Sequence, residues 1–323
     1  MLTRRNFSTA TTLGLALSPL SLSAQNYPTR PISVWVGYPP GGGTDVTARI
    51  ITAQMSSQLG QPIVVENKPG VAGALAATQI ARAPADGYSI LLNASGAFIN
   101  LVLRSGFKYN PSHEGTPIAS VAQAPVVLVV NNDLPVNNVN DFIKLAQEKP
   151  ENISYGSDGL AGTTQLSAEF FSKIAGIRML HVPFKGAGPS VMATVAGQVN
   201  ANFPTLPSAM AMIRAKRVKP LAVSGLTRTK ILPDVPTFEE LGYRGFDFLC
   251  WFGLVGPKGI APSIVERLNA ATHKSLQHPE VIKSIQNQGM EVKVSTPAEW
   301  LDFMMKDAKN IERMAKVSNL QIS

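Results

Sequence analysis

The residues best placed to do chemistry are a run of glycines rather than a set of titrating side chains. Tyr38-Pro39-Pro40-Gly41-Gly42-Gly43-Thr44-Asp45 separates an apolar run, Ile32–Val36, from a segment of helical apolar spacing that begins at Val46. Glycine tolerates positive φ, so three in a row allow a sharp strand-to-helix turn and leave no side chain in a ligand's way. The following helix offers unpaired N–H groups and the positive end of its dipole, which favour an anion. The loop contains no Lys or Arg. An anion held here would therefore rely on backbone donors and bridging water. Thr44 or Asp45 is a candidate helix cap, and Asp45 is also a candidate acceptor for a ligand amine or ordered water. Tyr38 is either core or a lid stacked on the ligand.

Two more glycine-rich junctions follow strand-like runs. Residues 153–155 open into Gly156-Ser157-Asp158-Gly159-Leu160-Ala161-Gly162-Thr163-Thr164, and residues 179–182 lead to Lys185-Gly186-Ala187-Gly188-Pro189. Ser157, Thr163 and Thr164 at a helix start are either plain caps or, in a cleft, hydroxyl and N–H donors for a carboxylate. Lys185 is either a solvated surface charge or the partner of a ligand acid.

Other chemistries lack their residues. Gly41 and Gly43 fit a dinucleotide fingerprint, but Val46 stands where the third glycine belongs, and the chain has no Gly-Lys pair for a phosphate loop. His113-Glu114 is followed by Gly115-Thr116-Pro117, which is no zinc-protease motif, and Tyr155 two residues before Ser157 departs from a nucleophile elbow. The chain has one cysteine, Cys250, and four histidines. An internal disulfide is thus excluded, no metal-ligand spacing is present, and a Cys250–His181 dyad would be chance proximity. No catalytic residue and no cofactor is expected. The net charge of +8 suits solubility or the steering of anionic ligands. Nucleic acid is not an expected partner, since no basic cluster carries interleaved aromatics.

These loops need a scaffold. Strand-like runs alternate with helix-like segments over most of the 323 residues, which reads as α/β with a mainly parallel sheet. Strands are expected at 32–36, 63–66, 89–93, 126–130, 153–155, 179–182, 199–203, 221–224 and 246–252. The run 126–130 is apolar throughout, as for a strand buried on both faces. Gly60 is the expected end of the first helix. Asn140 or Asp141 is the expected cap of a later one. Thr296-Pro297-Ala298-Glu299 reads as a capping box opening a final helix. The pattern starts twice, so two similar lobes are expected, with the glycine junctions at strand ends where open α/β sheets bind ligands. Residues 1–24 read as a signal peptide: Arg4 and Arg5, then uncharged residues 9–22, then small residues before a cleavage site. Thr3-Arg4-Arg5-Asn6-Phe7 fits either an ordinary secretion signal or a twin-arginine signal. The expected location is the periplasm, or outside the cell.

The motifs in order resemble one family. Tyr27-Pro28-Thr29-Arg30-Pro31-Ile32, Pro39 to Asp45, Val64-Val65-Glu66-Asn67-Lys68-Pro69-Gly70, Asp86-Gly87-Tyr88, Tyr155-Gly156-Ser157, His181-Val182-Pro183-Phe184-Lys185-Gly186, Leu232-Pro233-Asp234-Val235-Pro236-Thr237 and Trp251-Phe252-Gly253-Leu254 are similar to those of the tripartite tricarboxylate transporter substrate-binding proteins, also called Bug or TctC receptors. The resemblance implies a periplasmic binding protein fold of type II, with two α/β lobes around a ligand cleft. Residues 25–125 with 226–323 would form lobe 1, and residues 126–225 lobe 2. It implies a small organic carboxylate clasped between the lobes by Tyr38, Pro40, Gly41, Gly42, Gly43, Thr44, Asp45, Gly73 and Ser95 from the first and by Ser157, Gly162, Thr163, Thr164, Lys185, Gly186 and Thr205 from the second. Lobe closure would present the ligand to a membrane permease or to a sensor. A ligand-presenting partner of a sensor kinase and a periplasmic enzyme on the same scaffold are the alternatives. The chain departs from the family pattern at Gln165, Ala161, Gly162, Pro204, Ala211-Met212 and Leu101. Pro204 removes a donor, which points towards a less acidic or more apolar ligand.

Overall fold

The computed structural model describes residues 27–104, 115–150 and 152–320. The expected signal segment and His113-Glu114 lie outside the described residues. The first sheet grows from the strand before the glycine loop. β1 (Ile32–Val36) alternates buried and half-buried residues, the period-2 pattern of a strand with one face in the core. It pairs in parallel with β2 (Ile63–Asn67) and β3 (Ser89–Ala94). β10 (Cys250–Pro257) lies antiparallel to β3, and β4 (Gly115–Ala124) and β11 (Glu291–Val292) complete the order β11-β4-β10-β3-β1-β2. The second sheet has the order β7-β6-β8-β5-β9, formed by β5 (Val127–Asn131), β6 (Ser154–Ser157), β7 (Leu180–Pro183), β8 (Ala201–Asn202) and β9 (Val218–Val223).

Each sheet is mixed, not mainly parallel. β6 runs parallel to β7 and β8, whereas β5 is antiparallel to β8 and β9. The chain leaves the first sheet along β4, passes directly into β5, and re-enters along β10. These crossing strands run against their neighbours. All five residues of β5 are buried, in keeping with its apolar run. Uniform apolarity records burial on two faces and carries no information about strand direction.

The helices among the described residues are α1 (Gly43–Leu59), α2 (Ala74–Ile80), α3 (Ser95–Leu103), α4 (Val139–Glu148), α5 (Thr163–Ala175), α6 (Ala187–Val195), α7 (Leu206–Arg214), α8 (Pro262–Leu276), α9 (Pro279–Asn287) and α10 (Pro297–Ser318). A 3-10 turn, Val71–Gly73, precedes α2. Gly60 ends α1 in the left-handed conformation, φ 70°, with its N–H on the Ser56 carbonyl. The capping box of α10 is present: Thr296 Oγ1 accepts the Glu299 N–H at 3.2 Å, and the Glu299 carboxylate accepts the Thr296 N–H at 2.8 Å. The cap of α4 is Asn138, not Asn140 or Asp141. Asn138 Oδ1 accepts the Asp141 N–H at 2.9 Å, and Asp141 turns back to accept the Asn137 N–H at 3.0 Å. No helix among the described residues is long and apolar enough to cross a membrane.

One core cluster lies on the first sheet, where Ile32, Val34, Val36, Ile90 and Leu92 pack with Ile51 and Met55 of α1 and Leu268 of α8. A second joins both halves. α10 packs on α3 and β4 of the first half and on α5 of the second, burying Trp300, Met304, Ile311 and Met314. Part of the segment 226–323 lies against the second sheet. Thr237 bridges Val223, and the Phe238 ring sits 5.1 Å from Phe171 and 4.2 Å from Phe246.

Candidate ligand-binding site

Five helices begin at one place. α1, α3, α5, α6 and α7 have the N-cap residues Gly42, Ala94, Gly162, Gly186 and Thr205, and none makes a side-chain capping hydrogen bond. Of the other helices, α4 and α10 are capped by Asn138 and Thr296, while α2, α8 and α9 likewise lack a side-chain cap. Residues from all five first turns line one cavity: Gly43 and Thr44, Ser95 and Gly96, Thr163 and Thr164, Ala187 and Gly188, and Thr205 with Ser208. The first N–H groups of a helix have no intrahelical acceptor, and its N-terminus carries about half a positive charge. Five such termini around one point favour an anion without a cation, since no Lys or Arg is among the described lining residues, although the Asp158 carboxyl in the lining takes up the Thr164 N–H of one of them.

The two halves touch here. The Gly43 N–H donates to Ser208 Oγ at 2.9 Å, the Ser95 and Thr163 hydroxyls lie 3.3 Å apart, and Asn100 Nδ2 donates to the Leu160 carbonyl at 2.9 Å. The cavity between them measures ≈ 30 Å³, room for about two water molecules.

The cavity's titratable side chains are Tyr38 and Asp158. Burial, with Asp158 nearby, pushes the Tyr38 phenol well above its ordinary value, so it stays a donor, and it donates to the Ala72 carbonyl at 2.6 Å. Burial raises the Asp158 carboxyl too, although Thr164 Oγ1 and the Thr164 N–H donate to it.

Asp45 does not cap α1. It occupies the third helical position, because the turn places Gly42 at the cap. Its carboxylate reaches back to the Gly41 N–H at 3.0 Å and also accepts from Arg49 Nε and, at 2.9 Å, from Asn67 Nδ2. Burial pushes this carboxyl up, but the bonds from Arg49, Gly41 and Asn67 outweigh it and hold its pKa below the ordinary value. Asp45 thus fixes the glycine loop, and it is absent from the cavity lining.

Ser157 is fully buried, with Oγ 2.6 Å from His181 Nε2. The surrounding bonds assign the tautomer. Gln165 Oε1 accepts the Ala161 N–H at 2.7 Å, so its amide nitrogen faces His181 Nδ1 at 3.3 Å as donor. Nδ1 is then the acceptor, and Nε2–H donates to Ser157. A histidine donating to a serine cannot take its proton, so the pair is no activated nucleophile. Burial also lowers the His181 pKa, which keeps the ring neutral. The network ties the 157–165 loop together. Cys250 is equally inert: it is buried away from His181 beside Ser95, Thr163 and Asp307, and burial pushes its thiol up to about 12. No group that could hold a metal ion occurs among the described residues.

Of the sequence-predicted residues, Tyr38, Gly42, Gly43, Thr44, Ser95, Thr163, Thr164 and Thr205 line the cavity. Pro40 and Gly41 are exposed on the outer bend of their loop. Gly162 is the cap of α5 behind Asp158. Gly73, at φ 91°, lies under Tyr38, where an added Cβ would sit 2.9 Å from the ring. Lys185 and Gly186 line a neighbouring outer chamber. Sequence reasoning gave no role to Asp158, Gly96, Ala187, Gly188, Ser208 or Phe252, all of which line the cavity. The Thr205-Leu206-Pro207-Ser208 string, with proline opening a helix, is the one signal that pointed to Ser208.

A family model described as "Tripartite tricarboxylate transporter family receptor" matches residues 47–320. Among solved structures, the chain is similar to Rpa4515 of R. palustris with adipate, at 30% identity and TM-score 0.88, covering 91% of this chain and 99% of that one. The periplasmic binding protein BugD is also 30% identical with TM-score 0.88, at 91% and 99% coverage. MatC of Rhodopseudomonas palustris with bound malate is 30% identical with TM-score 0.85, at 90% and 100% coverage. These proteins share the two-lobed fold over nearly their whole length. With the family model spanning most of the chain, the protein belongs to the tripartite tricarboxylate transporter receptor family.

Proposed function

We propose that this protein is a periplasmic receptor that captures a small organic carboxylate between its two lobes and delivers it to a membrane permease of the tripartite tricarboxylate type. The single observation that carries this reading is the meeting of five helix N-termini, none capped by the side chain of its own N-cap residue, at a cavity with no Lys or Arg among its described lining residues. Such a site favours anions over neutral isosteres. The adipate and malate bound by the two R. palustris proteins support a carboxylate as the ligand class. The lobes would be built on the six-stranded and five-stranded sheets, with closure bringing Gly43 to Ser208. The donor tautomer of His181 supports binding without turnover.

The test is calorimetry on the mature protein with adipate, malate and their diamides. Helix termini contribute ~0.3–1 kcal/mol each to an anion, so the acid should bind at least roughly tenfold more tightly than its diamide. Equal binding of acid and amide would overturn the reading.

A further inference from the structure

One peptide group of the second half is held at both ends. The Ala161 N–H donates to Gln165 Oε1 at 2.7 Å, inside its own half. The Leu160 carbonyl of the same peptide group accepts from Asn100 Nδ2 of α3 at 2.9 Å, across the interface. Ala161 is buried and left-handed, φ 58°. That conformation costs a residue with a Cβ and persists only where the surroundings hold it. Gln165, buried at the third position of α5, supplies the hold.

The other end of the Gln165 amide rests on His181, with Nε2 3.3 Å from the ring Nδ1. The amide can serve Ala161 through oxygen and the ring through nitrogen only while Nδ1 carries no proton. A protonated ring has N–H on both nitrogens and faces Gln165 Nε2 donor to donor. Turning the amide over satisfies the ring, but it then sets an NH₂ group against the Ala161 N–H, and the 160–161 peptide loses its anchor. The ring is half-buried, within reach of solvent protons, and β6 and α5 pack against it. β6 brings Ser157 and Tyr155, whose ring is stacked on the imidazole at 4.9 Å. α5 brings Gln165 and Glu169, whose carboxylate takes the Tyr155 hydroxyl. His181 has no ion-pair partner among the described residues, and burial lowers its pKa.

We infer that Gln165 is a positioning residue of the closed form: it aims the 160–161 peptide at Asn100 of the opposite half, and it does so only while His181 is neutral. The inference rests on the closure around a carboxylate proposed above. With the halves apart the 160–161 peptide is free to shift, so the open form takes the imidazole proton more readily than the closed one. Closure is therefore complete above the ordinary imidazole pKa of ~6.5 and weakens as pH falls through it.

The test is calorimetry with adipate from pH 7.5 to 5.5, wild type beside Gln165→Glu. A carboxylate accepts on both oxygens, so this variant holds the Ala161 N–H whether or not the ring is protonated. Wild-type affinity should fall roughly tenfold more than that of Gln165→Glu, the one-proton limit about one pH unit below the imidazole pKa. Adipate, Asp158 and Asp307 are common to both proteins, so the difference between the profiles reads residue 165. Asn100→Leu removes the receiving group. It should weaken binding roughly fivefold at pH 7.5 and bring the acid loss down to that of Gln165→Glu. Without ligand, the hydrogen-exchange protection of the Ala161 amide should fall on acidification in wild type and hold in Gln165→Glu. Parallel affinity profiles, or Ala161 protection that ignores pH in both proteins, would overturn the inference. Failure of adipate and malate to bind at pH 7.5 would instead sink the carboxylate reading, and the Ala161 protection would still decide whether Gln165 depends on His181.

Discussion

Gly43→Ala should hold the two halves apart. Gly43 is the first residue of α1, where alanine is the better helix former by ~1 kcal/mol, so the separated form loses nothing. In the touching form the new Cβ would lie 2.9 Å from Thr205 Oγ1, 3.0 Å from Pro207 Cγ and 3.1 Å from Ser208 Oγ. The two hydroxyls can rotate away, but the rotation forfeits the bond from the Gly43 N–H to Ser208, about 1 kcal/mol. The proline ring cannot rotate, and backing α7 away costs about another 1 kcal/mol at the low end of overpacking. The total of about 2 kcal/mol falls on the closed form alone, so carboxylate affinity should drop roughly 30-fold. Calorimetry with adipate gives the affinity, and small-angle scattering gives the ligand-induced contraction. Ser208→Ala removes only the hydrogen bond and should cost roughly fivefold. Adding Ser208→Ala to Gly43→Ala should give less than the sum, because both act on one contact. Affinity within twofold of wild type, with contraction unchanged, would refute the claim that α1 and α7 meet around the ligand.

Two further predictions concern a buried carboxylate, Asp45, and a partly buried one, Asp307, with opposite behaviour. Asp45→Ala should cost about 2–3 kcal/mol by stripping Gly41 and Asn67 of their acceptor, read as a fall in melting temperature. Its pKa is held below the ordinary value, so this stabilisation is present above the unfolded carboxyl pKa and fades as pH falls through the folded one. A variant that melts with wild type at pH 7 would show the loop needs no such tie. Asp307 behaves inversely: burial pushes its carboxyl from 3.8 up to about 6, with Trp251 Nε1 donating to it at 2.7 Å. The native state then binds the extra proton, so its contribution is full below about pH 4 and is lost as pH rises through 6. The loss is on the order of 3 kcal/mol. Asp307→Asn keeps an acceptor for Trp251 and should flatten that slope in urea titrations at pH 4 to 7. Parallel profiles for the two proteins would contradict this.

The parts of the site legible in the sequence were those written in backbone-permissive residues. Glycines at 41–43, 156–162 and 186–188 announce tight turns into helices, and those turns are where the cavity lies. The capping box at Thr296 and the glycine end of α1 were legible for the same reason: each is a local bargain among a few adjacent residues. Strand direction was not, because β5 looks the same to its neighbours whichever way they run. α3 escaped notice because Ser95–Leu103 is nearly all buried, follows a strand without a turn signal, and has alanine at its cap. The role of Asp45 was hidden because its partner Asn67 is 22 residues away. Ser157 and His181 were named apart, but only the amide of Gln165 decides which of them donates.

The last helix sets how such a molecule can breathe. Its 22 residues run along both halves, with Met304, Ile311 and Met314 sunk into neighbours from each. Pulling the halves straight apart would strip those side chains bare. A twist about the helix's own length would let them roll in place, so that small angle is the cheap direction of travel. The helix would then serve as an axle, and shortening it should loosen that motion before it damages either sheet.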